Sequence, residues 1–426
     1  MGEVFAKKTN SVCPSELNIE EFFLDLKGAR TIPPAKIDPD RKPPAWLDFN
    51  LARRGQQFAR NNLPSISISH MFGLASSPYT DGIDILLLSG NFSTPASATK
   101  RYTSTITEII TWYTDPFWES GSDGNITDIY KSLNRVRALH SALACAASKK
   151  ISRGEILSDA NEFFDYIPTA AWAAAKRDLN DSNIPPSQRG IAPSNEKICN
   201  AVPFNQQILA LIQFAFIGFP ILFPERLGIS CPNEDDLSAF NHLWAILGYL
   251  VGIEDKYNIA LRPNLKSARE VYRGIFERYA IPSLFHAEKD AIFVADVTFQ
   301  GLQGITSISP NILMYWTLKD ILQIQATNTY KALTFTEKII SAAKDHVMFD
   351  VLKNPISRKL STFFLLNTLL VVGKENFGPQ YAKRFDSIKK SFGFSKGYEY
   401  FGRVVFGLVW LYKIILAAFI FVYKAF

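Results

Sequence analysis

Apolar positions recur every three or four residues along most of this chain, which is the spacing of one face of an α-helix. The clearest case is residues 125–150, where Leu133, Val136, His140 and Leu143 continue into Ala147 as one stripe. A helix of about seven turns is predicted there. A histidine lies in the middle of its apolar stripe, and this position is the first candidate for chemistry.

Other segments show the same helical spacing, and no stretch sustains the alternation of a β-strand. Helices are predicted at 20–26, 101–112, 154–176 (interrupted at Pro168), 205–219 (ended by Pro220), 235–255 and within 265–350, and residues 361–372 form a mostly apolar run. The segment 205–219 is apolar nearly all round, so a central core helix is expected rather than a membrane span. The pattern therefore predicts a mainly α protein built as a single large helical domain.

Three regions are predicted from the breaks in this pattern. Residues 1–62 read as an irregular N-terminal arm because prolines between 33 and 44 interrupt any periodicity. The helical domain covers 63–400, and a polar, proline-containing stretch at 178–197 is either a connector or a lid.

The third region, 403–426, is a hydrophobic C-terminal helix. Val404–Tyr423 is 20 residues long and apolar apart from Lys413, so it is long enough to cross a bilayer. A central lysine opposes insertion, which leaves an in-plane or buried helix as the second interpretation. We expect membrane attachment of one of these kinds, because little chain follows to cover the segment.

Composition narrows the class of protein. The chain has 426 residues, 47% of them hydrophobic, and a net charge of +6 that is spread along the sequence. Nucleic acid is therefore not an expected partner. The four cysteines show no CxxC spacing, which favours a reducing compartment over a disulfide-stapled secreted domain.

Candidate chemistry centres on two helices. His140 is either a packed core histidine or the ligand of a bound metal centre, with His242 as the alternative ligand, and the histidine spacing does not favour a zinc cluster. On the helix at 101–112, Arg101 and Thr105 share a face, and Glu108 at its edge is a candidate base for proton abstraction.

Three motifs in order resemble one known family. They are R-x-x-x-T at Arg101 and Thr105, V-R-x-L-H ending at His140, and W-x-x-x-G-x-x-x-G-I-x-D from Trp244 to Asp255. Across residues 65–290 the chain resembles the bacterial rubber oxygenases (latex clearing proteins) and the fungal MpaB-type oxygenases bound to the endoplasmic reticulum.

This resemblance implies a helical fold of globin-like haem-binding type that carries haem b. It implies that His140 is the axial ligand of the haem iron and that Arg101 and Thr105 lie in the haem pocket, where Thr105 would hydrogen-bond dioxygen or a water. Arg137 would pair with a haem propionate or, equally, form a surface salt bridge. Threonine in a helix also commonly bonds back to the preceding turn.

The function implied is a membrane-associated, haem b-dependent oxygenase that uses dioxygen on an apolar, unsaturated small-molecule or lipid substrate, isoprenoid in the family. The oxygenase domain is expected on the cytosolic side of a membrane such as the endoplasmic reticulum. The chain departs from the rubber oxygenases at two positions. They have a lysine where this chain has Ser104, and an arginine where this chain has Ala144. These departures motivate an alternative, a haem-binding or structural membrane-associated relative without catalysis.

Overall fold

The computed structural model describes residues 18–35, 43–76, 83–114, 127–155, 165–191, 201–229, 232–306 and 308–394. Within these ranges the chain is mainly helical and forms no β-strand, which confirms the predicted all-α class. The α-helices are α1 (Ile19–Gly28), α2 (Phe49–Asn61), α3 (Leu63–Ser76), α4 (Ile83–Leu88), α5 (Pro95–Trp112), α6 (Asp128–Ser152), α7 (Ala170–Asn180), α8 (Gln206–Leu222), α9 (Glu234–Val251), α10 (Leu265–Ile275), α11 (Ile281–Phe285), α12 (Lys289–Thr306), α13 (Pro310–Trp316), α14 (Thr327–Ala332), α15 (Phe335–His346), α16 (Pro355–Phe377) and α17 (Tyr381–Ser391).

Helix α8 is the centre of the core. Its N-cap Asn205 accepts a hydrogen bond from the backbone of Ile208, and 15 of its 17 residues are buried. Helices α3, α9 and α10 pack around it. This confirms the prediction of a core helix, but α8 continues through Pro220 to Leu222 instead of ending there. Proline at this position removes the backbone bond to the carbonyl of Phe216, four residues earlier.

The structure changes several of the helix boundaries predicted from the sequence. Phe49–Asn61 is not irregular: α2 begins at the N-cap Asp48 and packs along α9, so it belongs to the helical body. Residues 165–169 are not helical, and α7 begins only at Ala170. The described part of 178–197 contains the end of α7 and one short 3-10 turn, Pro186–Gln188.

One described helix is long and apolar enough to cross a membrane by length and composition. It is α16, Pro355–Phe377, with a mean hydropathy of 1.2 over its most apolar stretch, and only 28% of that stretch is buried. The predicted C-terminal helix at 403–426 lies outside the described residues.

Close helix crossings in the core depend on glycine. A Cβ on Gly73 of α3 would lie 1.6 Å from the carbonyl oxygen of Ala215 in α8, which is backbone and cannot turn aside. A Cβ on Gly55 of α2 would likewise lie 2.3 Å from the carbonyl oxygen of Ala239 in α9. The absence of a side chain at these points therefore sets the spacing between the helices that surround the core.

We expect Gly73→Ala to lower the free energy of unfolding by about 1–3 kcal/mol, because α3 and α8 must move apart. Gly28→Ala is the matched control: its φ is −64° and a Cβ there meets nothing within 4 Å. Denaturant unfolding followed by circular dichroism measures both variants. Equal stability of the two would show that the crossing is not close-packed.

Candidate functional site

A cavity of about 290 Å³ lies between α5, α6, α8 and α9. Its walls are mostly apolar and aromatic, with Trp112, Phe216 and Trp244 among them, and Phe216 stacks on Trp244 with ring centres 5.3 Å apart. A second, smaller cavity of about 90 Å³ adjoins it. Six residues line both spaces, and two of them have polar side chains, His140 and Arg101; the others are Leu86, Phe92, Leu139 and Ile212.

The predicted face of the helix at 101–112 is present. Arg101, Thr105, Ile109 and Trp112 all line the larger cavity from α5, and Ser104 lies beside them. Helix α5 starts with a capping box. The backbone N–H of Ser97 donates to the side chain of Thr94, and the backbone N–H of Thr94 donates to the side chain of Ser97. The sequence therefore brings the two predicted site helices, α5 and α6, to the same cavity.

His140 is partly buried, and its Nδ1 atom is enclosed without a hydrogen-bond partner among the described residues. Burial, together with the nearby charge of Arg101, lowers the pKa of the imidazole to about 4. The ring is therefore neutral at physiological pH. A neutral imidazole with an unused nitrogen is a suitable donor to a metal.

The alternative ligand, His242, lies elsewhere. Its Nε2 accepts a hydrogen bond of 3.1 Å from the backbone of Asp48, and its ring packs against Trp46. It does not line the cavity that contains His140. His242 therefore connects the start of α2 to α9, and this geometry does not favour it as a ligand.

The remaining histidines also have partners. His70 lies 3.4 Å from the hydroxyl of Tyr113, and a hydrogen bond to the backbone of Phe216 opposes the burial that lowers the His70 pKa to about 3. The carbonyl of Phe216 is the one that Pro220 leaves free within α8. His286 bonds to the carbonyl of Arg189, and His346 bonds to Asp350.

Arg101 has no hydrogen bond or ion pair among the described residues, and burial lowers the pKa of its guanidinium while the charge of Glu108 raises it. Thr105 donates a hydrogen bond of 3.1 Å to the carbonyl of Arg101, one turn earlier. This is the local bond that threonine often makes in helices. The Thr105 hydroxyl oxygen still lines the cavity and can accept a hydrogen bond there.

Glu108 lines the cavity, but its geometry does not suit the predicted role of a base. Arg384 donates to both carboxylate oxygens, Arg135 donates to both as well, and Ser132 adds a further hydrogen bond. Burial raises the pKa of Glu108, but Arg384, Ser132 and Arg135 together outweigh it and hold the pKa below its usual range. A carboxylate stabilised in this way is a weak proton acceptor.

Arg137 does not line either cavity that contains His140. Its guanidinium donates to the carbonyl of Leu250 at the end of α9 and to the side chain of Asn134. The bond to Leu250 ties α6 to α9. This geometry favours a packing role over the propionate contact.

The two glycines of the third motif, Gly248 and Gly252, allow close packing and the end of a helix. A Cβ on Gly248 would lie 2.4 Å from the amide nitrogen of Gln213 and would also meet Asn258. Gly252 ends α9 with a φ of +105°, a conformation that favours glycine. Gly248 lines the cavity of His140, whereas Gly252 does not.

Two residues of the site were not found from the sequence. Arg135 lies on α6 two positions before Arg137, and its only signal was its place near the cavity face of a helix already predicted. Arg384 is 276 residues from Glu108, and no local pattern connects them.

Comparison with models of protein families, with curated proteins and with solved structures finds no match to this chain.

We expect Glu108→Gln to lower the free energy of unfolding by about 1.5–3 kcal/mol at neutral pH, because the hydrogen bonds of two arginines lose their charged acceptor. The stabilisation from a lowered carboxylate pKa is complete above the unfolded value of 4.5. It is lost as the pH falls through the lower folded value. The difference between wild type and variant should therefore shrink on acidification below about pH 4.5.

Glu20→Gln is the control, because Glu20 also pairs with one arginine, Arg278, but is exposed. Such a surface pair contributes little to stability because solvent screens its charges. Urea titrations at several pH values measure both variants. A pH-independent effect of Glu108→Gln would contradict the lowered pKa.

Proposed function

We propose that this protein is a membrane-associated, haem b-dependent oxygenase that acts on an apolar, unsaturated substrate of the isoprenoid type. One observation carries the proposal: His140 presents a neutral imidazole, with an enclosed and unpartnered Nδ1, beside an apolar cavity. In the described ranges each of the other four histidines has a hydrogen-bond partner.

The residues present fit a haem better than a bare metal ion. No group of three or more His, Cys, Asp or Glu side chains that could hold a metal occurs in the described part of the chain. A metal ion at His140 would therefore have a single protein ligand. Haem iron needs only one such ligand, because the macrocycle supplies the others.

The charges around the cavity also suit haem b, which carries two propionates. Arg101 and Arg135 line the cavity with one carboxylate, Glu108, between them, so this lining has two positive charges against one negative. Arg101 has no counter-ion within hydrogen-bonding distance among the described residues. A propionate would supply one, which lowers the cost of a partly buried cation.

Bound haem would supply the oxygen chemistry, and the chain's own residues would prepare the surroundings. The aromatic wall of Trp112, Phe216 and Trp244 excludes water and offers flat apolar surface to a macrocycle or an unsaturated chain. Thr105 can accept or hold a hydrogen bond in the cavity, since its oxygen retains acceptor capacity.

The family proposal rests on the three motifs that resemble the rubber oxygenases and the MpaB-type oxygenases. The fold proposed with it is the globin-like haem-binding type, and the location proposed is a membrane such as the endoplasmic reticulum with the oxygenase domain in the cytosol. The long apolar helix α16 supports membrane association. A substrate that partitions into lipid would be available there.

A second candidate function is haem binding without catalysis. The observation that favours it is the state of Glu108, the carboxylate among the cavity-lining residues, which two arginines hold as an anion. A reaction that needs a carboxylate base in the cavity would then lack one. The departures from the rubber oxygenases at Ser104 and Ala144 also favour haem binding without catalysis.

For the cofactor, we expect wild type expressed with ample haem to show a Soret band, and His140→Ala to lose most of it. His242→Ala is the matched control and should keep the band, because His242 bonds to backbone away from the cavity. Absorption spectra normalised to protein concentration measure both. A wild type without a Soret band, or a band lost only in His242→Ala, would refute the assignment.

For turnover, we expect the haem-loaded protein to consume dioxygen and form carbonyl products from an isoprenoid alkene such as squalene. Thr105→Val should reduce this turnover about tenfold or more with haem content unchanged, because it removes one hydrogen-bonding group from the cavity. Thr103→Val is the control: Thr103 bonds back to Thr99 and does not line the cavity.

Oxygen-electrode traces and mass spectrometry of the products give the readout. A Soret band without product in wild type would favour the second candidate, haem binding without catalysis.

A further inference from the structure

A third cavity, of about 260 Å³, lies between α3, α5, α12 and α16. It adjoins the cavity of His140, and Leu74 and Ile109 line both. We refer to it as the α16 cavity. The proposed function does not use it.

The α16 cavity is lined mostly by apolar side chains, and its polar lining residues are one histidine, His70, and four residues with hydroxyl groups, Ser67, Tyr113, Thr306 and Thr368. The hydroxyl of Tyr113 lies within hydrogen-bonding distance of His70, and Thr306 donates back to the carbonyl of Leu302. Burial raises the pKa of Tyr113 well above its usual value and lowers that of His70, so both groups are neutral. The lining contains no Asp, Glu, Lys or Arg. Such a space suits hydrocarbon.

The accessible side of the α16 cavity lies on an apolar helix. Thr368 of α16 is exposed, and its neighbours Phe364 and Leu365 are partly buried against the cavity. The same helix is the described segment with the length and composition of a membrane span. A hydrocarbon chain that arrives along α16 from a lipid phase would meet the cavity at Phe364, Leu365 and Thr368.

We propose that the α16 cavity is a second binding site, independent of haem, for a single hydrocarbon chain of a lipid that enters past Thr368. The juxtaposition of a mostly apolar cavity and the exposed apolar helix carries this assignment. Its position next to the His140 cavity, with Leu74 and Ile109 between them, places a bound chain beside the proposed reaction site.

The test uses the full-length protein and hexadecanoic acid that carries a photoactivatable diazirine in the middle of its chain. After irradiation, mass spectrometry should find the label on peptides of α3 and α16. Thr368→Trp narrows the exposed mouth, and Ser67→Phe fills the cavity from α3. Because each methylene excluded from an apolar site weakens binding, both variants should bind the probe about tenfold more weakly or worse.

Val371→Trp is the matched control, since Val371 is 55% exposed on the same helix and does not line the cavity. It should bind the probe as wild type does. Circular dichroism and thermal unfolding verify that each variant is folded, and Thr368 is exposed, so that variant remains informative if Ser67→Phe fails to fold.

Labelling that is unchanged in Thr368→Trp and in folded Ser67→Phe, or that falls equally in Val371→Trp, would overturn the proposal. The His140→Ala variant distinguishes a failure of the hydrocarbon-site proposal from a failure of the proposed haem function. Loss of the Soret band with full labelling in that variant supports a hydrocarbon site that does not depend on haem, whereas loss of labelling there would contradict the independence that we propose.

Discussion

A carboxylate that is shielded from water must be neutralised, and in this protein that requirement joins distant parts of the chain. Glu108 of α5 is bound by Arg135 of α6 and by Arg384 of α17, and Ser132 completes its hydrogen bonds. Without these partners, burial of the charge would cost several kcal/mol. The cluster therefore fixes α17 against α5 and holds α6 beside the cavity. It also separates the site into a charged side at Glu108 and a side where His140 has no hydrogen-bond partner among the described residues.

Much of the helical architecture follows from local rules that the sequence displays. The stripe from Leu133 to Ala147 gives α6, and the apolar character of 205–219 gives a buried α8, because burial requires an apolar surface on every side of such a helix. The face of Arg101 and Thr105 was also predictable from a spacing of four residues. These features depend on neighbours in sequence, so one sequence is sufficient to find them.

The features that the sequence did not reveal depend on tertiary packing. The buried face of α2 consists of Ala52, Gly55, Gln56, Phe58 and Ala59, so only one large apolar side chain marks this face, although Asp48 is a recognisable N-cap. Pro220 is tolerated inside α8, where His70 hydrogen-bonds to the backbone of Phe216, the residue whose carbonyl the proline leaves free. The role of Glu108 depended on Arg384, and no local rule connects residues so far apart. Whether His140 binds haem also depends on a molecule that the sequence does not contain.

The two walls of the His140 cavity differ in how easily they can move. On one side, Gln213 of α8 donates to the carbonyl of Trp244 and to Asn258, and accepts from the backbone of Ile259, so α8 and α9 are cross-braced through a single amide. On the other side, only four of the 25 residues of α6 are buried in the described structure. Ser132, Arg135 and Arg137 fix the first half of α6 to its neighbours. Any adjustment of the cavity to the thickness of a ligand would therefore come from the part of α6 beyond Arg137. That part of α6 contains His140, so the imidazole can shift while the aromatic wall stays in place.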